Sequence, residues 1–405
     1  MMIEKERLQT KINEMITYFP WYRDYLSSME PDDLLRLPLI TREILEKHYY
    51  HQDFNPAWKI YQTSGTSSRK RKKIVYSKED DQEYLDKKVH IYARFLQDKP
   101  IRTAMSDMGT GHAANTAMEV FKSVGLICED IPYHLPVQDH VKLLKQFRPD
   151  CLYTMPSILE SVLSATDHPE QFGIQKVILV GEVASAQWQN KVASRLRIDR
   201  KEIMDTYGSI EIGTIAYYSH EHGCYLFVEG LVPEGIRAEE LGLDEDLLRE
   251  DERILALTSF SRKTFPAVRF VTYDVVRGFK PIHVAGKMVP SFKSLVKRVG
   301  TEWKHGEKIS FYDIEEAAFR YLDKATIWIQ VDHNKLLVWI DSPYITDFIR
   351  KQIQVDIQDQ IPEIGIMIRN GILDEIQVNV VTDPKQFQTD RVKKKVIHHK
   401  QWERH

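Results

Sequence analysis

A chain of 405 residues can bury a large core, and at about 150 residues per domain two or three domains are expected. Its formal net charge of −3 excludes a global field that would draw it onto nucleic acid or an anionic membrane. No apolar stretch approaches the roughly 20 residues needed to span a bilayer, and the charged opening MMIEKERLQTKINEM lacks the apolar segment of a signal peptide. Cys128, Cys151 and Cys224 are the three cysteines, too far apart for a metal or disulfide spacing. A soluble, reduced, cytoplasmic protein without nucleic-acid or membrane partners is expected.

The first forty residues read as helical and run into FPWYRDYL and LPLITREILEKHYY. There Thr41 can cap a short helix through its hydroxyl, and the residue before the proline is extended. Residues 61–73 read YQTSGTSSRKRKK, a glycine-bearing loop of hydroxyls that runs into five consecutive cations. It lies between an extended segment, WKIYQ, and a β-branched run, KIVYS. Hydroxyls and backbone amides in such a loop can nest phosphate oxygens, with cations to neutralise them. The G-x-x-x-x-G-K-[ST] spacing is absent and no helix follows directly. On the residues alone the loop is either a phosphate nest or a solvated turn. Ser77 then opens a long helix to about Leu96, with Glu79, Asp80 and Asp81 in the first turn, where the helix dipole favours acids.

From roughly Arg102 to Gly213 strand-like and helix-like segments alternate: LICEDIPY, VQDHVKLLKQF, DCLYTM, ILESVLSAT and KVILVG. This is the pattern of βα units around a largely parallel sheet. KVILVG ends in glycine, as a buried strand does before a ligand-facing loop. Between about Glu221 and Asp274, LFVEG, RILALTSF and AVRFVTYD look like antiparallel strands. From about Gly300 a compact unit reads helix (YDIEEAAFRYL), strand (ATIWIQVD), strand (KLLVWID), helix (TDFIRKQIQVDIQDQI) and strand (EIQVNVV), with DHNK as a hairpin turn. The expected fold class is α/β. Residues 1–300 form a large N-terminal α/β domain with parallel-rich sheets, and residues 301–405 a small C-terminal α+β domain.

Three further stretches carry polar groups at strand ends. In DTYGSIEIG, 205–213, Tyr207 can stack on a ring, Ser209 can donate to a phosphate and Glu211 can reach a divalent metal. Asp274, closing RFVTYD, can accept from a ribose diol or be a turn residue. In SDMGTGHAANTAMEV, 106–120, His112 and Asn115 are polar candidates for substrate contact; His112 can equally cap the helix start.

Taken in order, TSGTS, GE, YGSIE and Y-D, followed by a small α+β domain, resemble the adenylate-forming superfamily of acyl-CoA synthetases, peptide-synthetase adenylation domains and luciferases. The phenylacetate-CoA ligase-like branch looks nearest. FPWYRDYL and LPLITREIL resemble its PFYR and LPLTTK-like segments, GEVA at 181–184 its GAEP, and DTYGSIE its DxYGxxE. FPAVRFVTYD is similar to its P-x-x-RYRTxD, and GEKISFYDIEE at 306–316 to its GxxIxPxxIE loop. The resemblance covers nearly the whole chain.

The resemblance implies ATP-dependent activation of a carboxylic acid to an acyl-adenylate, with release of pyrophosphate and transfer to a thiol or amine. ATP, Mg²⁺ and possible acceptance by CoA or a phosphopantetheine (acyl or aryl) carrier protein follow from it. Thr63, Ser64, Gly65, Thr66, Ser67 and Ser68 would cradle the β- and γ-phosphates, with Arg71 assisting. Glu211 would position Mg²⁺, Tyr207 would stack on adenine beside Gly208 and Ser209, and Asp274 would bind the ribose. Gly181 and Glu182 would line the base pocket. Lys393 would be the catalytic lysine of a mobile C-terminal domain, with Lys394 and Lys395 as alternatives and a hinge near Gly300 to Lys304. SSRKR stands where relatives have TGxPK, and Gly300–Thr301 where they have a GR pair, which weakens a standard CoA step. His112 and Asn115 among small residues suit a polar aryl acid, for instance a hydroxybenzoate in siderophore or other secondary-metabolite assembly. The alternatives are a fatty acyl-protein synthetase and a catalytically silent nucleotide-binding homologue.

Overall fold

The computed structural model describes residues 5–26, 33–62, 72–108, 112–132, 134–244, 247–299, 310–332, 335–361, 368, 374, 376–382, 387 and 397–399. The chain forms two compact units. The first comprises Met1–Arg94, Gly111–Val120 and Tyr207–Lys293; the second comprises Phe95–Thr110, Phe121–Thr206 and Ser294–His405.

In the first unit, strand Lys59–Gln62 pairs antiparallel with Lys73–Tyr76, so the two ends of the hydroxyl-rich loop are held side by side. Helix Lys78–Leu96 follows, opened as expected by Ser77, whose Oγ accepts from the Asp80 amide at 3.2 Å. Thr41 differs from expectation. It precedes helix Arg42–His48 in extended conformation but makes no side-chain cap bond. Strands Leu231–Ile236, Glu252–Ser259 and Phe270–Arg277 lie antiparallel in that order. A second antiparallel set joins Gly213–Ser219, Cys224–Phe227, Lys287–Phe292 and Lys280–Val284. The expectation of antiparallel strands across this region is met.

The second unit contains the βα alternation. Strands Ile127–Asp130, Thr103–Asp107, Cys151–Thr154 and Lys176–Val180 lie parallel in that order, and the strand that begins at Ile203 extends the row. Cys151–Thr154 is buried along its whole length, as a parallel strand covered on both faces must be. Lys176 opens its strand while buried; ion pairs to Glu202 at 2.8 Å and Asp98 at 2.6 Å satisfy it. Towards the C-terminus, Thr326–Asp332 pairs antiparallel with Lys335–Asp341. Leu336, Val338 and Ile340 are buried and alternate with less buried neighbours, the period-2 signature of a one-sided sheet. Gln377–Val380 runs parallel to Lys335–Asp341, and Ile397–His399 parallel to Thr326–Asp332. Ser310 caps helix Phe311–Ala318 and Thr346 caps helix Asp347–Gln360 through their hydroxyls, closing otherwise open amides. Among the described residues no helix is long and apolar enough to cross a membrane.

Candidate active site

The centre of the first unit is the turn between strand Ile203–Ser209 and strand Gly213–Ser219. Its shape depends on two glycines. A Cβ on Gly208 would lie 2.6 Å from the Gly213 carbonyl oxygen. Gly213 itself has φ +92°, and a Cβ there would lie 2.9 Å from the Tyr84 ring. Only glycine meets both conditions. Ser209 Oγ accepts from the Ile212 amide at 3.3 Å, which leaves its hydroxyl hydrogen able to donate outward. The Tyr76 hydroxyl donates to the Ile210 carbonyl at 2.8 Å, and Arg262 Nε donates to the Glu211 carbonyl at 3.0 Å. The backbone on both sides of the Glu211 side chain is therefore fixed, while its carboxylate is only half-buried.

Arg262 is the hub of this arrangement and was not singled out by sequence. Buried, it pairs with Asp80, donates to the Val75 carbonyl and to Thr264 Oγ1, and stacks over the Tyr76 ring at 3.7 Å. Asp80 also accepts from the amides of Lys263 at 2.7 Å and Thr264 at 2.9 Å. Burial alone would push the Asp80 carboxyl up, but the guanidinium and these donors outweigh it and hold it below the usual carboxylate range. The adjacent cations Arg262 and Lys263 in the otherwise uncharged stretch LTSFSRKTFPAV are the signal that could have marked Arg262. Asp80 was visible only as a dipole-favoured acid.

Tyr207 and Asp274, expected to serve separately as adenine and ribose contacts, are joined directly: the Tyr207 hydroxyl donates to Asp274 Oδ2 at 2.7 Å. A bulge lies in the same strand as Asp274. The register between Glu252–Ser259 and Phe270–Arg277 slips between Ile254 and Ala256, and Tyr273 takes φ +62°. Tyr273 is held there by the Arg42 amide, the Glu43 carboxylate and the Arg42 guanidinium over its ring at 4.9 Å. Such backbone strain persists only where surrounding contacts impose it.

His112 opens helix His112–Ser123 and is 5% exposed. Tyr84, Tyr76 and Tyr61 surround its ring at centroid distances of 4.0, 4.3 and 4.4 Å. Its Nε2 faces Asp81 Oδ1 at 3.2 Å, and Lys59 pairs with Asp81 at 2.7 Å. Asn115 is exposed. In the second unit Gly181 takes φ +89°, and Glu182 accepts from the Ser157 amide at 2.8 Å, which anchors the first turn of helix Pro156–Ser164. The remaining sequence candidates, Thr63, Ser64, Gly65, Thr66, Ser67, Ser68, Arg71 and Lys393, together with the hinge near 300–304, lie outside the described residues.

Among the described residues no three His, Cys, Asp or Glu side chains converge on a metal site. A nucleotide-bound Mg²⁺ takes one or two carboxylates and completes its shell with phosphates and water. Glu211 on its fixed turn is suited to that part.

Residues 304–383 match the family described as the fumarate–diaminopropanoate ligase C-terminal domain. The fumarate–(S)-2,3-diaminopropanoate ligase of Enterobacter agglomerans is 38% identical over 382 residues, covering 93% of this chain and 96% of that protein. Among solved structures, 2-hydroxyisobutyryl-CoA ligase in its postadenylation state with an adenylate superposes at TM-score 0.69 and 14% identity, over 93% of this chain and 84% of that one. The amide bond synthetase McbA from Marinactinospora thermotolerans superposes at TM-score 0.52 and 13% identity, over 82% and 66%. At these identities the structural likeness is one of fold.

Proposed function

This chain belongs to the fumarate–diaminopropanoate ligase family of adenylate-forming ligases, and from that premise we propose that it joins fumarate, or a closely similar small dicarboxylic acid, to an amine of a 2,3-diamino acid. The observation that carries this is the match to the Enterobacter agglomerans ligase across 93% of the chain. The name of that relative speaks for a dicarboxylic acid and an amine in place of the hydroxybenzoate and the CoA or carrier-bound thiol expected from the motifs. The family match over 304–383 supports assigning 301–405 to the small domain and 1–300 to the adenylate-forming one.

One carboxylate of the acid attacks the α-phosphorus of ATP and pyrophosphate leaves; the amine then attacks the acyl carbonyl and AMP leaves. A carboxylate is a poor nucleophile facing a polyanion, so the protein must screen charge and hold an in-line approach. The loop of Thr63, Ser64, Gly65, Thr66, Ser67 and Ser68, with Arg71, holds the β- and γ-phosphates. Ser209 donates to phosphate from its closed turn. Glu211 would hold Mg²⁺, which when bound would supply neutralisation of charge developing on the phosphates. Asp274, kept in place by Tyr207, accepts from the ribose; Gly181 and Glu182 line the base pocket, and Lys393 meets the α-phosphate and the acyl oxygen.

ATP–pyrophosphate exchange across fumarate, succinate, maleate, hydroxybenzoates and long-chain acids tests the acid. Mass spectrometry of reactions containing 2,3-diaminopropanoate tests the acceptor. Fumarate-dependent exchange and an amide product are expected. Exchange confined to aryl acids, with a CoA thioester as product, would overturn the proposal.

A further inference from the structure

We infer that His112, oriented by Asp81, accepts the proton of the attacking amine in the amide-forming half-reaction. This rests on the function proposed above and adds a catalytic group to it.

The argument begins with hydrogen-bond inventory. Lys59 and the imidazole beside Asp81 outweigh burial, which alone would push its carboxyl up, and hold it below the usual range. An ionised carboxylate only accepts. His112 Nε2, 3.2 Å from Asp81 Oδ1, therefore carries the ring hydrogen, and neutral His112 presents a lone pair at Nδ1. That Nδ1 is buried and has no hydrogen-bond partner among the described residues. Buried polar groups are almost always paired, so an open one asks for a functional partner. Thr214 Oγ1, next in the chain after Gly213, is also buried without a partner among the described residues.

The base is tied to the candidate active site by two of the rings that enclose it. Tyr76 packs on His112 and donates to the Ile210 carbonyl, while Tyr84 stacks on His112 and abuts Gly213. Both therefore touch the turn that carries Glu211. A nucleophile's base, itself oriented by a third group, is the general pattern of activated attack.

The protonation state is suited to the task. Burial keeps the imidazole below its ordinary value. Lys88, over the Tyr84 ring at 4.7 Å, and Arg262, over the Tyr76 ring, act in the same direction, and Asp81 opposes them. The first-turn amides of its own helix also disfavour an imidazolium. A neutral acceptor is thus present near pH 7. Once protonated, it is stabilised by the Asp81 carboxylate and by the faces of the three tyrosines.

In the step itself, the free-base amine attacks the acyl carbonyl carbon and the C–N bond forms. The bond from that carbon to the AMP oxygen breaks, and AMP leaves with the bonding pair. The surplus N–H proton passes to His112 Nδ1 and from there to solvent.

The test separates the half-reactions in the full-length protein, using His112→Gln and Asp81→Asn. The ratio of amide formation with 2,3-diaminopropanoate to fumarate-dependent ATP–pyrophosphate exchange should fall by about 10²–10⁴ in His112→Gln, and less in Asp81→Asn. Hydroxylamine is a much weaker base, so the proton its nitrogen carries after attack is acidic enough to pass to water, and as acceptor it should lose far less. An unchanged ratio would overturn the inference. So would equal losses in both half-reactions, which would make His112 part of the scaffold of the turn. Absence of fumarate-dependent exchange in the unsubstituted protein would instead remove the parent proposal.

Discussion

Arg262 bonds two backbone carbonyls, a hydroxyl and a buried carboxylate, so its removal leaves several groups unsatisfied at once. Breaking one side of a buried pair costs about 3–5 kcal/mol, chiefly from the uncompensated charge left behind. Arg262→Met should lower stability by about that amount, read from urea unfolding midpoints. The double variant Arg262→Met, Asp80→Leu should recover a large part of it, because two apolar side chains leave no charge stranded. A loss below about 1 kcal/mol in the single variant would show that solvent reaches Asp80. Individual residues of this kind were poorly legible in sequence. The five cations at 69–73 drew attention by their density. Arg262 is defined instead by partners nearly two hundred residues away in the chain, at Val75 and Asp80.

At the scale of elements, the turn at 208–213 is set by clearance. Gly208→Ala places a methyl group against a backbone oxygen 2.6 Å away, and Gly213→Ala meets both an unfavourable φ and the Tyr84 ring. Gly223 also has positive φ, +65°, but nothing stands within 4 Å of the position its Cβ would take; alanine there carries only local strain of about 1 kcal/mol. ATP–pyrophosphate exchange should therefore fall at least tenfold in Gly208→Ala and Gly213→Ala and persist in Gly223→Ala. Equal activity in all three would mean that the turn does not shape the site. The parallel strands could be read from sequence because CLYT and KVILV encode their burial locally. The bulge at Tyr273 could not: its positive φ is imposed by Arg42 and Glu43, far back in the chain. Tyr207 and Asp274 were both legible as polar groups at strand ends, but the hydrogen bond between them was not.

At the scale of the whole molecule, His140 and Asp107 contribute a pH-dependent part of the folding free energy. Nδ1 of His140 lies 2.9 and 3.0 Å from the two Asp107 oxygens, and Nε2 lies 3.2 Å from the Leu135 carbonyl. Both ring nitrogens face acceptors, so the imidazolium is the form that satisfies them. Burial disfavours that charge, but the Asp107 carboxylate and the Leu135 carbonyl outweigh it and raise the histidine above its ordinary value. The histidine's stabilisation is therefore present below about pH 6.5, the unfolded value, while Asp107, whose carboxyl burial pushes up, stays ionised, and is lost as pH rises through the higher folded value. Urea midpoints should fall across this window, and His140→Gln should remove that component of the slope. An identical slope in the variant would assign the effect elsewhere. The reaction class was legible because five short motifs occur in order along the chain. The acid was not, because those motifs carry the adenylation chemistry common to many carboxylic acids. Composition near His112 pointed to an aryl acid without showing that aromatic rings already enclose the histidine.

The short strand Ile397–His399, just beyond the candidate lysines 393–395, lies parallel along the outer side of Thr326–Asp332. This has a consequence for the order of synthesis. The segment ATIWIQVD leaves the ribosome well before the strand that covers its free edge, and chain emerges at only about 5–20 residues per second. During that interval, Thr326–Asp332 can gain Lys335–Asp341 on one side, while its other row of amides and carbonyls stays open to any extended chain nearby. The nascent protein thus passes through a stage of several seconds in which this sheet keeps one edge unpaired, and a remote three-residue strand ends that stage.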